Sequence, residues 1–160
     1  MSSDIQANIV SLLNARNSLL LASLNEQNLP EISSTPFLKI GAKFYIFISE
    51  LASHTKNIKQ SPKLSIMLIE DEQDTKNAFA RKRLSYECSA AVIDRQASNW
   101  NPILDKLEKR HGKTVSVLKQ LQDFHLFELT PTSGHYIEGF GKAYRLSGDN
   151  LQRITPQTNT

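Results

Sequence analysis

Ser49, Ser53, His54, Thr55 and Asn57 place three hydroxyls, an imidazole and a carboxamide in one short stretch, FYIFISELASHTKNI. An apolar, strand-like run stops at Ser49 and a helix-like pattern opens at Ser53. The first turn of a helix carries unpaired N–H groups and a partial positive charge, so an anion is stabilised there. Ser53 and Thr55 add hydroxyl donors, His54 adds an imidazole that can donate or become cationic, and Ser49 can point to the same place from the strand end. That is the chemistry of a phosphate socket. The same residues also fit an ordinary Ser53 cap followed by an exposed histidine.

A second cationic group is Arg81-Lys82-Arg83, where alternation would put Arg81 and Arg83 on one face of a strand and Lys82 on the other. Such a cluster can grip a phosphate in bidentate fashion, or neutralise the nearby Glu70-Asp71-Glu72 and Asp74. The other histidines are less suggestive. His125 alternates with Phe127 and Leu129, His135 follows Gly134, and His111 falls at a helix C-terminus, where the dipole favours it. None of the four is spaced i, i+4 from another, which argues against a zinc site, and EDEQD lacks the glycine of a calcium loop. There is no G-x-S-x-G, and Cys88 alternates with Leu84, Tyr86, Ala90 and Val92 as a small core residue. Any chemistry is expected to be carried by a cofactor that the protein positions.

The elements that must position these groups follow from the apolar periodicity. A first helix runs to about Asn14, capped by Ser3 or Asp4. Residues 18–24, 31–40 and 43–49 read as three close strands, suggesting an antiparallel meander. A short helix from Ser53 is ended by Ser61-Pro62, KLSIMLIED resumes as strand, and 81–94 is the longest strand candidate, long enough to bend around a barrel. Helices follow at ASNWNPILDKLEKRHG, with Ser98 or Asn99 as cap, and at TVSVLKQLQ. Two final strands lie around Gly134 and Gly139-Phe140-Gly141. This predicts an α+β chain, mainly β: a small antiparallel barrel of six or seven strands with peripheral helices. It forms a single domain over 1–160, with an N-terminal helix in 1–16 and a polar tail at 152–160.

Composition bounds the function. With 160 residues and 39% hydrophobic content, the chain can bury one sizeable core. No window approaches the roughly 18 apolar residues of a membrane span, and the lone cysteine excludes an internal disulfide, so a cytoplasmic protein is expected. A net charge of +3 is too small to point to nucleic acid or an anionic membrane.

The segments FYIFISELASHTKNIKQSPKLSIMLIEDE, FARKRLSYECSA and LQDFHLFELTPTSGHYIEGFGKAYRLSGDNL, with the PEISSTPF strand, span roughly 18–151. In that order they resemble the heme-utilisation branch of the pyridoxamine 5′-phosphate oxidase-like superfamily. The resemblance implies an FMN-binding split β-barrel and a homodimer with cofactor sites at the subunit interface. It further implies that Ser49, Ser53, His54, Thr55 and Asn57 hold the FMN phosphate, and that Arg81, Lys82 and then Arg83 face the flavin or its phosphate from across the interface. Ser33 occupies the position where the oxidases place a phosphate-binding arginine. In heme-degrading members a C-terminal histidine ligates the iron beside an acidic residue; Asp123 matches the acidic position, and the residues after Asp149 contain no histidine. The leading expectation is therefore an FMN-dependent oxidoreductase acting on a small molecule. Heme binding or degradation, with the basic residues receiving propionates and His125 or His135 as replacement iron ligand, is the alternative. A non-catalytic dimeric binding module is the third reading.

Overall fold

The computed structural model describes residues 2–158. In chain order the elements are α1 (Ser2–Ala15), β1 (Ser18–Leu24), β2 (Pro30–Pro36), β3 (Leu38–Ile40), β4 (Lys43–Ser49), α2 (Ser53–Gln60), β5 (Lys63–Ile69), β6 (Arg83–Ile93), α3 (Trp100–His111), α4 (Thr114–Lys119), β7 (Phe124–Gly139), β8 (Lys142–Ser147) and β9 (Arg153–Pro156). All pairings are antiparallel, in the order β2-β1-β5-β6-β7-β4-β3, with β8 added to β7 and β9 to β8. The two ends of that path, β2 and β3, are separated in sequence by Phe37 alone. The sheet therefore curls until its edges are neighbours, yet it stays unclosed. This is the split barrel, mainly β with four helices outside it.

The expected strand 31–40 is thus two strands, and the expected meander is not formed. β1–β2 and β3–β4 are hairpins at opposite ends of the sheet path. Pro36 has no N–H to give to a ladder, and Phe37 turns its side chain into the core, 1% exposed, with its own N–H bonded to the Asn17 carbonyl at 3.3 Å. The strand count rises to nine for a second reason. The expected polar tail pairs with β8 as β9, where Ile154 lies opposite Leu146 and packs against the barrel core. Residues 159 and 160 of that tail lie outside the described residues.

β4 explains the unbroken apolar run KFYIFIS. Phe44, Ile46 and Ile48 point into the barrel core, while Tyr45 and Phe47 point outward into a second core made by α3 and α4 with Trp100, Ile103, Leu104, Leu107 and Val115. A strand buried on both faces shows no alternation. Each Leu or Ile sealed there contributes about 1.5–3 kcal/mol. Arg95 fastens this helical layer: its guanidinium donates to the carbonyls of Lys119, Leu121 and Phe124 and lies 5.1 Å from the Trp100 ring centre. Neither Ser98 nor Asn99 supplies a side-chain cap to α3, and α4 is shorter than its sequence pattern suggests. α1 begins at Ser2, so capping by Ser3 or Asp4 does not occur.

Candidate functional site

Where β4 ends, Ser49 acts as a pivot for the chain's turn into α2. Its carbonyl accepts from the Ala52 N–H at 3.1 Å and from the Thr55 hydroxyl at 2.5 Å. Its hydroxyl accepts from the Leu51 N–H at 3.1 Å and donates to Asp123 at 3.3 Å. The N-cap position of α2 is Ala52, with no side-chain cap, and Ser53 is an exposed first-turn residue. Thr55, Asn57 and Ile58 form the buried face of the helix.

Asn57 is the anchor of that face. Its amide donates to the Ser23 hydroxyl at 3.1 Å and to the Glu31 carboxylate at 2.8 Å. Asn57 and then Asn25, as donors, hold the Glu31 carboxyl below its ordinary pKa. The inward positions of β2 are Glu31, Ser33 and Thr35, a polar row where a core strand would carry aliphatic groups. Ser33 and His54 meet in this row, with His54 Nδ1 2.8 Å from Ser33 Oγ. Burial lowers the His54 pKa, so the ring is neutral near pH 7.

Beside His54 opens a cavity of about 460 Å³ between the β4 end and the α3–α4 layer. Its walls are mainly apolar, including Phe47, Leu107, Val115, Leu118 and Phe124, and its imidazoles are His54 and His111. The His111 ring is 2.7 Å through Nε2 from the Phe37 carbonyl, which can only accept, so Nε2 carries the proton. The helix-dipole reading of His111 missed this contact, which joins α3 to the seam between β2 and β3.

The basic group lies elsewhere in the same chain. Arg83 pairs with Ile69 and Ile137, whereas Ser33 pairs with Leu21, so β1 and β5 stand between β2 and the strand that Arg83 opens. Arg81 and Lys82 precede β6 and are turned to Glu70: Arg81 Nε donates to its carbonyl at 2.8 Å, and the Lys82 N–H donates to its carboxylate at 3.1 Å. Arg83 donates to the Arg81 carbonyl at 2.9 Å. The chain therefore brings Ser33, Ser49, Ser53, His54, Thr55 and Asn57 together and leaves Arg81, Lys82 and Arg83 apart. The buried hydroxyl of Thr55 and the amide of Asn57 are committed to protein partners. Glu31 and Ser23 were not singled out by sequence, although the polar inward row of β2 was the signal that could have found them.

His125 is bonded through Nε2 to Glu50, and His135 lies opposite Ser85 and Arg145 in the ladder. Among the described residues no group of three His, Cys, Asp or Glu side chains is placed to hold a metal ion, and no helix is long and apolar enough to cross a membrane.

The family model described as pyridoxamine 5′-phosphate oxidase matches residues 5–138. The chain is 40% identical over 136 residues to heme oxygenase HutZ of Vibrio cholerae serotype O1, covering 85% of this chain and 77% of that protein. The crystal structure of HutZ from Vibrio cholerae, described as a heme storage protein, superposes with a TM-score of 0.75 at 36% identity, covering 78% of this chain and 88% of that one. Campylobacter jejuni ChuZ gives a TM-score of 0.87 at 31% identity over 97% of this chain, which spans only 63% of that longer protein. On the sequence match and the split-barrel fold together, the chain belongs to the pyridoxamine 5′-phosphate oxidase-like family, in its heme-utilisation branch.

Proposed function

We propose that this protein binds heme and serves in heme-iron utilisation, the reading that stood second to FMN in the sequence. The observation that carries it is the 460 Å³ apolar cavity edged by a neutral imidazole. A porphyrin presents a broad apolar surface and needs an apolar wall, while its iron accepts a nitrogen lone pair. The donor set fits that group. Bound there, heme would supply an iron centre for ligand and redox chemistry. The kinship with a protein named as a heme oxygenase supports the same ligand.

FMN asks for something different, a cationic, hydrogen-bonding socket for its phosphate. Serine stands at position 33, Thr55 and Asn57 are internally bonded, and the Glu31 carboxylate adjoins the helix. The deciding experiment is a pair of absorbance titrations of the purified protein, with hemin and with FMN. Saturable hemin uptake near one per chain, with weak or no FMN uptake, is expected; tight FMN binding without hemin uptake overturns the reading.

The protein acts as a homodimer in this proposal. The outward face of β1, β5 and β6 carries the small side chains Ala22, Ser65 and Ser89 around a concavity of about 530 Å³, and Ile32, opposite Ala22, is 77% exposed. Small side chains beside an exposed aliphatic suit close approach of a second copy. A second copy would also offer its Arg81–Arg83 group to the propionates. The buried free thiol of Cys88 suits a reducing cytoplasm, where we place the protein.

A further inference from the structure

β4 has a cavity at each end. Ile48 and Ser49 line the one described above, and Phe44, four residues or about 13 Å back along the strand, lines another of about 240 Å³ at the mouth of the barrel. α1 covers this mouth, the β3–β4 hairpin forms one side, and the turn after β8 forms the other. Asn150 and Leu151 hold that turn with two consecutive left-handed residues, φ 52° and 56°, a backbone kept only where its surroundings enforce it. Ile9, Leu13, Phe44 and Leu146 give the cavity apolar walls. It is smaller than the roughly 300–1,000 Å³ of pockets that hold drug-sized molecules, so it is too small for a tetrapyrrole or a flavin and suits a molecule near the size of one ring.

Two polar groups in this cavity are unmatched. Lys39 stands at the rim with its ammonium 5.9 Å from the Phe44 ring centre, and its one protein acceptor is the Gly41 carbonyl. Two of its N–H groups remain to be given. Among the described residues it has no carboxylate partner, and none of the residues lining the cavity is acidic. Desolvation at the rim lowers its pKa, and an anion beside it would reverse that shift. Tyr86 is the second group. It is 6% exposed, and its hydroxyl makes no hydrogen bond among the described residues. That oxygen is not one of the sealed, unpartnered atoms of the interior, and the cavity is where it opens. A buried phenol ordinarily finds a partner.

We propose that the barrel-mouth cavity is a binding site for a small monocarboxylate with an apolar body, its carboxylate held by Lys39 and Tyr86 and its body lying against Phe44, Ile9 and Leu146. The lining selects that class. One cation and one phenol donor, with no acidic neighbour, favour an anion of single charge, and a phosphate dianion would ask for more positive charge than Lys39 supplies. Apolar walls favour a ligand that is hydrophobic beyond its head group. Gln6, Asn150 and Gln152 add carboxamides to the same lining. The site is separate from the heme reading, and neither depends on the other.

The test is a nuclear magnetic resonance titration of the ¹⁵N-labelled full chain with benzoate and, as its neutral counterpart, benzyl alcohol. Benzoate is expected to shift the amides of residues 6–13, 39–44 and 150–152 saturably, with benzyl alcohol bound at least about 10-fold more weakly. Lys39→Met should weaken benzoate by about 10-fold and abolish the preference for the acid over the alcohol. Tyr86→Phe should also weaken benzoate by about 10-fold, at an unchanged circular dichroism spectrum and urea midpoint, because the hydroxyl has no protein partner to lose. No saturable shift of those amides up to about 10 mM benzoate overturns the site. Equal affinity for acid and alcohol overturns the assignment of an anionic ligand, and Lys39→Met and Tyr86→Phe proteins that both keep wild-type affinity overturn the roles given to these residues.

Discussion

Asn57 shows how a residue with the look of a ligand contact becomes a structural one. It is 4% exposed, its amide bridges Ser23 on β1 and Glu31 on β2, and a buried donor or acceptor left alone costs about 1–3 kcal/mol. Asn57→Ala is therefore expected to lower stability by about that amount, read as a shift of the urea midpoint at unchanged slope. Asn57→Asp should be worse than alanine at pH 7, because it sets a second carboxylate against Glu31, and should recover as pH falls toward 4; equal effects of the two changes at both pH values would remove the Glu31 contact from the account. His54 titrates in the opposite sense to a paired histidine. Burial depresses its pKa in the folded protein, so the unfolded chain binds more protons below its ordinary value of 6.5. Stability then falls as pH drops through 6.5 and levels off below the folded-state pKa. His54→Asn should flatten this limb of the stability curve, and a limb unchanged in the variant would reject it. The site was half legible in sequence for the same physical reason. Helix-end chemistry around Ser53 and His54 is local and can be read, but the Ser33 contact and the carbonyl bonded to His111 are made by chain folding and have no local signature.

At the scale of elements, Gly134 lets β7 pass against β6. A Cβ built there would lie 2.9 Å from the Tyr86 ring and 3.1 Å from Leu146, inside contact distance. Gly134→Ala is expected to cost about 1–3 kcal/mol, and Tyr86→Leu in the same chain should recover part of that loss; a double-mutant cycle with no coupling would contradict the packing. β9 makes a second case. Deleting residues 153–160 bares the β8 edge and uncovers Leu146, so a lowered melting temperature is expected, which differential scanning calorimetry would detect. Periodicity located β1, β4, β5, β6, α1 and α3 because each has an apolar face or core of its own. It missed the break at Phe37, because Pro36-Phe37-Leu38 is as apolar and extended as a strand and only the ladder reveals the interruption. It missed β9 because only Ile154 of that segment reaches the core.

For the whole molecule, the proposed dimer gives the sharpest expectation. Size-exclusion chromatography with light scattering should find twice the 18.0 kDa chain mass, and Ala22→Arg should shift the population to monomer while leaving the circular dichroism spectrum intact. A monomeric wild type would remove the interface and with it any shared site. A different consequence comes from β4, the strand buried on both faces. Its pairing with β7 joins Lys43 to Glu128, 85 residues further along. During synthesis at about 5–20 residues per second, that partner follows roughly 4–17 s behind. For that interval the nascent chain displays KFYIFIS with one edge unpaired and with α3, the cover of its outer face, still incomplete. The ribosome therefore releases a chain that has passed through an aggregation-exposed phase, and its soluble yield in cells is expected to depend on elongation rate and chaperone supply.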